Sequence, residues 1–511
     1  MPNSGMVRGL LFSAILIVYL AVPTRNYYWD GIGFAQTIED SASFRPGLVH
    51  PNHLVYNLAG FALYRAVHAI GWNTRALNIL IAANSILSAL TAVVVFETLV
   101  SISGSIYLSC VLALLFAFSA TWWKFSTDAN AYIPSVLLLV MCCYRLLPGI
   151  RCRPVLLGAL HGGAMLFHEL AVLFYPVVVV GILIQNRGSC RQCGLRRAAI
   201  YTFVALLMVV PAYVAAFYWS ESHLDVTAMR RWITYHDPAV GFSMHLAWNF
   251  WRTLRGEAQL LLGTKASLIK HESFSLALLV LALTLALLTC AKSIGRRREV
   301  WQLLANARKA DRSLLLIVGL WIVVYLVFLF FWLPQTTFYR LFYLPALILA
   351  IGVLWTPYES NRRTPQSYCA ALFLATFALV NFAVVIFPLS KVENTVPVSF
   401  AERMHPRWPA GSVIYQDAFG NTINDWYIRY FNPQTEWRPL SHGTIPISDA
   451  ELASLYLSGR TVWLDTTAAD FPQWSQPPLD NWLRKHTRAE STERSNIKGS
   501  NIRFIQIFPY P

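Results

Sequence analysis

The stretch YYWDGIGFAQTIEDSASFRPGLVHPNHLVYN, Tyr27 to Asn57, decides how this chain is read. An apolar run precedes it and further apolar runs follow. Yet it gathers Asp30, Glu39, Asp40, His50 and His53, with aromatic residues beside them. Such a segment is either a wet loop between hydrophobic elements or the floor of a site.

The surroundings set the terms of that choice. The chain has 511 residues, of which 56% are hydrophobic and only 13% charged. Soluble globular chains carry about 25% charged residues. Lipid offers no partner to backbone amides, so an apolar run of about 20 residues crosses a bilayer as a helix. Apolar runs fall at roughly 8–23, 74–100, 104–120, 131–148, 155–168, 169–186, 197–219, 273–292, 313–333, 338–356 and 368–388. The chain therefore reads as an α-helical polytopic membrane protein with about 11 transmembrane helices. The first run ends in AVPTRNYYW without a small-residue cleavage site, and so reads as a retained helix. The segment from Leu54 to Trp72 carries Tyr56, Asn57, Arg65 and His68 and suits an interfacial helix.

The net charge of +15 follows a topological pattern, not that of a nucleic-acid binder. Arg145, Arg151 and Arg153 share one connection. Arg187, Arg191, Arg196 and Arg197 share a second. KSIGRRR and ARKADR flank a third, and Arg362 and Arg363 mark a fourth. With a cytoplasmic N-terminus, all of these connections are cytoplasmic, as the positive-inside rule requires. The stretch 24–73, the loop TWWKFSTDANAY, the break at FHEL, the segment 220–272, the turn PQTTFYR and everything after Leu389 then face outward. The expected location is a bacterial inner membrane with the C-terminal region outside. Seven cysteines, Cys142, Cys143, Cys152, Cys190, Cys193, Cys290 and Cys369, fall on the basic side, and Cys110 lies inside a run. The outer face thus holds no disulfide candidates. The spacing of CRQC, Cys190 to Cys193, suits zinc but lacks a second pair or a nearby histidine.

Two domains are expected: a transmembrane part over 1–390, and an external soluble α/β part over 391–511. In the latter GSVIYQD, RTVWLDT and IRFIQIF read as strands. NTINDWYIRYF, SDAELASLYLSG and PLDNWLRK read as helices, with Ser448 as an N-cap and Gly459 as a stop. No phosphate-binding glycine pattern is present; DAFGN is too short a signal to make one.

In order along the chain, YYWDG with Asp30, HPNH (His50 to His53), RALN (Arg75 to Asn78), FSATWW (Phe118 to Trp123), DANAY (Asp128 to Tyr132) and LFHELAVLFYP resemble the GT-C superfamily of membrane glycosyltransferases. This superfamily includes protein O-mannosyltransferases and aminoarabinose transferases, and the likeness is greatest to an uncharacterised bacterial branch. It covers about residues 10–185. It implies a GT-C-like bundle, a polyprenyl-phosphate sugar donor, and an acid in the first external loop, here Asp30. Gly33 stands where the branch tends to carry a second acid, and Asn130 where it carries glutamate.

Transfer from such a donor needs a base for the acceptor hydroxyl, cations for the departing phosphate and a greasy groove for the prenyl tail. Asp30 is the expected base. Glu39, His50, His53, Lys124, Asp128, His168, Glu169 and Arg340 are the expected substrate-binding residues. His50 and His53 suit phosphate or sugar, and Lys124 and Arg340 lie near helix ends where a lipid phosphate would sit. Each also has a plain reading: Asp30 as a helix cap, the histidines as wet loop residues, the cations as snorkelling side chains. His168 and Glu169 fall at a break between short apolar segments, where ionisable groups are costly unless they serve. The pattern leaves room for a divalent metal without requiring one. The partners expected are membrane lipid, the donor and a glycan, lipid or protein acceptor, with no nucleic acid. Two other classes fit in part: a transporter or flippase of a lipid-linked substrate, and an inactive GT-C-like scaffold. No internal repeat supports the first.

Overall fold

The computed structural model describes residues 4–186, 191–234, 241–263, 273–294, 311–359, 366–417, 423–440, 445–466, 477–488, 492–497 and 500–509. Cys190, Arg187, Arg362, Arg363 and most of KSIGRRR, ARKADR and DAFGN lie outside the described residues. The chain forms two compact units. One contains residues 1–24 and 34–388, the other 25–33 and 389–511.

The larger unit is helical. Its first half runs α1 (Ser4–Ala21), α2 (Trp29–Glu39, whose first turn belongs to the smaller unit), α3 (Tyr56–Ala69), α4 (Ala76–Ser103), α5 (Ile106–Ala117), α6 (Ala120–Ser126) and α7 (Tyr132–Arg145). Then follow α8 (Pro154–Phe167), α9 (Tyr175–Gln185), α10 (Arg191–Glu221), α11 (Val226–Ile233), α12 (Leu246–Leu262) and α13 (Ser273–Ile294). Helices Arg312–Trp332, Leu344–Glu359 and Gln366–Asn381 complete it. Each of the eleven apolar runs holds an apolar helix. Among the described residues, four helices are long and apolar enough to cross a membrane, namely those ending at Ser103, Glu221, Trp332 and Leu389. Helices α5 and α6 make a fifth if taken as one span bent by 69°. Six more apolar helices are shorter. Helix α10 exposes Phe203, Leu206, Leu207 and Val210, and α13 exposes Leu276, Val280, Leu283 and Leu287. Apolar residues spread over helix faces in this way suit hydrocarbon as solvent. This is a multi-pass membrane protein.

Helix α4 touches α1, α3, α5, α7 and Leu344–Glu359. Its buried face carries Asn84, Ser85, Ser88, Thr91 and Thr98, small polar groups that let neighbours approach; Asn84 and Ser85 give hydrogen bonds to the segment around Asp128, whereas Thr91 and Thr98 bond carbonyls of their own helix. Helices α8 and α10 approach closely at Gly158, where a Cβ would sit 2.7 Å from Cβ of Val204 and 2.8 Å from the Tyr201 carbonyl oxygen. The α5–α6 bend leaves backbone groups over. Asn381 donates to the Phe118 carbonyl at 2.8 Å and to that of Leu261 at 2.8 Å.

The smaller unit is an α/β domain. Its strands β1 (Val413–Asp417), β2 (Glu436–Leu440), β3 (Val462–Asp465), β4 (Thr492–Ile497) and β5 (Ser500–Ile507) lie in the order β2-β1-β3-β5-β4. The β1 pairings are parallel; β3–β5 and β4–β5 are antiparallel. Side chains alternate across the sheet. Val462 and Leu464 pack with Leu452, Leu479 and Trp482. Trp463 packs on the opposite face with Phe400, Trp408, Ile428 and Phe504. Ser448 caps helix Asp449–Leu457 by accepting from the Glu451 N–H at 3.3 Å, and Gly459 follows it at φ +77°.

Residues 25–33 join this unit through specific bonds. The Arg25 N–H donates to the Leu389 carbonyl at 2.7 Å, and the Tyr427 hydroxyl to the Tyr27 carbonyl at 2.7 Å. Tyr27 stacks on Phe431 with centroids 5.9 Å apart, and the space beside Gly33 is bounded by the Trp426 ring. The sequence grouped this stretch with the transmembrane part because hydropathy reports only neighbours in the chain.

Candidate functional site

Asp30 sits in the first turn of α2, half-buried, in the smaller unit. Burial pushes its carboxyl up to about 6, a rise that hydrogen bonds from Tyr28 and Trp29 partly oppose. Just above that pH the group is ionised yet still a competent proton acceptor.

Within the larger unit three histidines meet. His50 starts the 3₁₀ turn Pro51–His53, and its Nδ1 accepts from the Asn52 N–H at 3.3 Å. The rings of His50 and His53 stack with centroids 5.2 Å apart, and His53 lies 5.2 Å from His168. His168 has extended backbone at φ −158°, which stops α8 and starts the 3₁₀ turn Glu169–Phe174. Its Nδ1 accepts from the Leu170 N–H at 3.2 Å, so its Nε2 carries the proton. That N–H is buried and has no partner among the described residues, nor have Nδ1 of His53 or the side-chain oxygens of Asn52 and Asn57. Buried polar atoms without partners are costly and point to an absent ligand or water. Burial lowers the pKa of His50. It also holds His53 well below the usual histidine range, with His168 and His50 adding to the effect. Both are neutral at pH 7. Tyr132, Tyr339 and Phe342 surround His168 at 4.9, 6.0 and 5.1 Å.

The break at His168 is fastened from outside. The Tyr325 hydroxyl donates to the Leu170 carbonyl at 3.0 Å, and His161 Nε2 to that of Ala171 at 2.8 Å. The Tyr201 hydroxyl in turn donates to His161 Nδ1 at 2.6 Å. An irregular turn between two helices frees backbone carbonyls, and here these side chains take them up. Glu169 is partly exposed at the start of this turn.

Lys124 and Asp128 form an i,i+4 ion pair at 2.8 Å, with Asp128 fully buried. The other Asp128 oxygen accepts from the Ala129 N–H at 2.9 Å. Asn84 donates to the carbonyls of Asp128 and Asn130 at 2.8 and 2.9 Å. Asn130 donates to the Phe125 carbonyl at 2.7 Å and accepts from the Ile133 N–H at 3.3 Å. In this chain Asn130 shapes the turn that presents Asp128.

Arg340 is fully buried in the 3₁₀ turn Phe338–Phe342. It pairs with Glu257 on α12, donates to the Tyr343 hydroxyl at 2.5 Å and to the Pro334 carbonyl at 2.6 Å. Tyr343 also donates to Glu257. Gly256 makes room for this arrangement, because a Cβ there would sit 2.6 Å from Arg340 Nε. Glu39 forms two bonds of 2.9 Å with Arg75 and accepts from the Ala76 N–H at 2.7 Å. It therefore holds the N-terminus of α4.

The structure thus brings His50, His53 and His168 together and pairs Lys124 with Asp128. It sets Glu39 against Arg75 and Arg340 against Glu257. Sequence reasoning passed over Glu257, Tyr343, Asn84 and His161. Glu257 is the only acid in α12, and FYRLFY is rich in hydroxyl and aromatic groups, so both were there to be noticed. Among the described residues no group of three His, Cys, Asp or Glu side chains is arranged to hold a metal ion.

Two crystal structures of ArnT from Cupriavidus metallidurans share this architecture, each at TM-score 0.56 and 12% identity. The one bound to undecaprenyl phosphate matches over 98% of this chain and 97% of its own; the apo form over 99% and 98%. The fold is GT-C-like. Neither a protein-family model nor a curated protein matches the chain. The likeness runs from α1 through the C-terminal sheet domain, well beyond the stretch 10–185 that carries the sequence motifs.

Proposed function

We propose that this GT-C-like protein is an inverting glycosyltransferase that takes a sugar from a polyprenyl-phosphate donor and passes it to an acceptor at the outer face of the membrane. The observation that carries the proposal is Asp30, a first-loop acid raised to about 6 within a fold shared over its whole length with ArnT. A lipid phosphate bound to that protein supports the donor class.

In this reading Asp30 takes the proton of the acceptor hydroxyl. The hydroxyl oxygen bonds to the anomeric carbon from the face opposite the phosphate. The bond from that carbon to the phosphate oxygen breaks, and polyprenyl phosphate leaves with the electron pair. The unpartnered N–H of His168 and the neutral rings of His50 and His53 suit hydrogen bonds to donor oxygens. Lys124 and Arg340 are the cations nearest in role to the leaving phosphate, and each shares its charge with Asp128 or Glu257. Glu39 and Glu169 complete the proposed substrate-binding set, Glu39 through the placing of α4.

The test is transfer by the purified protein in nanodiscs, using undecaprenyl-phosphate sugars labelled in the sugar, with wild type beside Asp30→Asn. Release of undecaprenyl phosphate with a labelled product, lost in the variant, is the expected result. Failure of the wild type to bind or consume any donor of this class would overturn the reading. The glycolipid profile of a deletion strain supplies the acceptor class.

A further inference from the structure

A cavity of about 520 Å³ lies in the larger unit, far from the histidine cluster. Helix α7 begins at Tyr132 beside His168 and ends at Arg145, next to the cavity wall at Leu146. Its 14 residues set the two places roughly 20 Å apart at 1.5 Å per residue. Helix α9 ends at the same wall with Gln185. The cavity therefore sits at the end of the bundle that carries the arginine-rich connections.

Its walls are chemically mixed. Arg151 and Arg197 supply two guanidiniums and Asp311 one carboxylate, so their net charge is 2 − 1 = +1. Arg197 donates to Asn186 at 2.8 Å, a neutral partner that leaves its charge uncompensated. The Asp311 carboxylate accepts from the N–H groups of Ser313 and Leu314 at 2.8 and 3.3 Å, where it caps helix Arg312–Trp332. Gln185 is clamped by its amide, which donates to the carbonyls of Leu147 at 2.8 Å and Arg145 at 3.3 Å. Its own Oε1 is buried with no partner among the described residues. Ile184 and Ile317 add an apolar wall.

A ligand that fits these walls carries negative charge for the arginines and apolar matter for the isoleucines. We propose that this cavity binds a phosphate anion, as found on an anionic glycerophospholipid or on a free glycerol phosphate. Guanidinium takes phosphate in a forked pair of charge-assisted bonds. A cavity of this size lies within the range of small-molecule sites. Arginine-rich membrane ends attract anionic headgroups, and this one adds a shaped recess to that attraction.

Cys152 lines the cavity and reports on its occupancy. The full chain in detergent is treated with N-ethylmaleimide, and modification of Cys152 is read by peptide mass spectrometry. The additions are dioleoylphosphatidylglycerol, dioleoylphosphatidylethanolamine or glycerol 3-phosphate. Native mass spectrometry counts retained lipid in parallel. The expected result is that phosphatidylglycerol shields Cys152 and stays bound. Arg151→Gln combined with Arg197→Gln should weaken this by about tenfold or more, since 1.4 kcal/mol corresponds to a factor of ten. Should the double variant fail to fold, Arg151→Gln alone, at an exposed side chain, reads the same loss. Shielding by glycerol 3-phosphate that needs the same arginines supports the site and assigns it a soluble ligand. Equal shielding by phosphatidylethanolamine, shielding indifferent to the arginines, or no shielding by any addition overturns the proposal.

Discussion

Asp30 is where single-residue chemistry is most exposed to test. Its folded-state pKa of about 6 lies above the about 3.9 of an unfolded aspartate. Protonation therefore stabilises the fold: the contribution is full below about pH 4 and is lost as pH rises through about 6. In the proposed reaction the ionised carboxylate is the base, which runs the other way, so the rate should climb through about pH 6. Asp30→Asn should then melt above wild type at pH 7.5 and level with it at pH 4, while turnover falls about 10²–10⁴-fold. Thermal melts at the two pH values and a pH–rate profile check both. A plain capping aspartate would leave turnover intact, because asparagine caps well. Arg340 behaves differently. Its guanidinium is fully buried against Glu257, so Arg340→Gln leaves a carboxylate without its counter-ion and should cost about 3–5 kcal/mol of stability. Thermal unfolding in detergent measures this. A silent substitution would mean that Glu257 finds another partner.

Between elements, close contacts set the tolerances. Gly256→Ala on α12 should push the helix away from the turn Phe338–Phe342 and lower the melting temperature, with no change in any ionisable group. Tyr427→Phe removes a hydroxyl that donates to the Tyr27 carbonyl and should loosen the stretch that carries Asp30, raising its amide hydrogen exchange. Unchanged exchange would show that the stacking on Phe431 suffices. The strands of the sheet domain divide in the same physical terms. β1, β3 and β5 were legible as apolar runs because both their faces are covered. β2, EWRPL, and β4, TERSNI, are edge strands with charges and a proline, the composition that keeps edges from pairing further, and their sequences carry no apolar alternation. The break at His168 was legible as polar residues interrupting an apolar run. Its anchors, Tyr325 and His161, were not, because hydrogen bonds across 155 and 10 residues leave no local pattern.

For the whole molecule, the basic connections predict a cytoplasmic N-terminus and an external C-terminal domain. A reporter fused after Pro511 that works only outside the cytoplasm should be active; activity of a cytoplasm-only reporter would reverse the assignment and remove the outer-face chemistry with it. The helical bundle was plain from hydropathy, since lipid imposes one rule on every span. The make-up of the smaller unit was hidden, because residues 25–33 belong with 389–511 although 355 residues separate Gly33 from Leu389. That separation acts during synthesis. The ribosome delivers the nine-residue piece early and its partners only after the larger unit has been translated. At about 5–20 residues per second the piece waits roughly 20–70 seconds before Leu389 emerges. Until then residues 25–33 lack the Leu389, Tyr427 and Phe431 partners that hold them, so a nascent chain carries Asp30 on an unfinished domain.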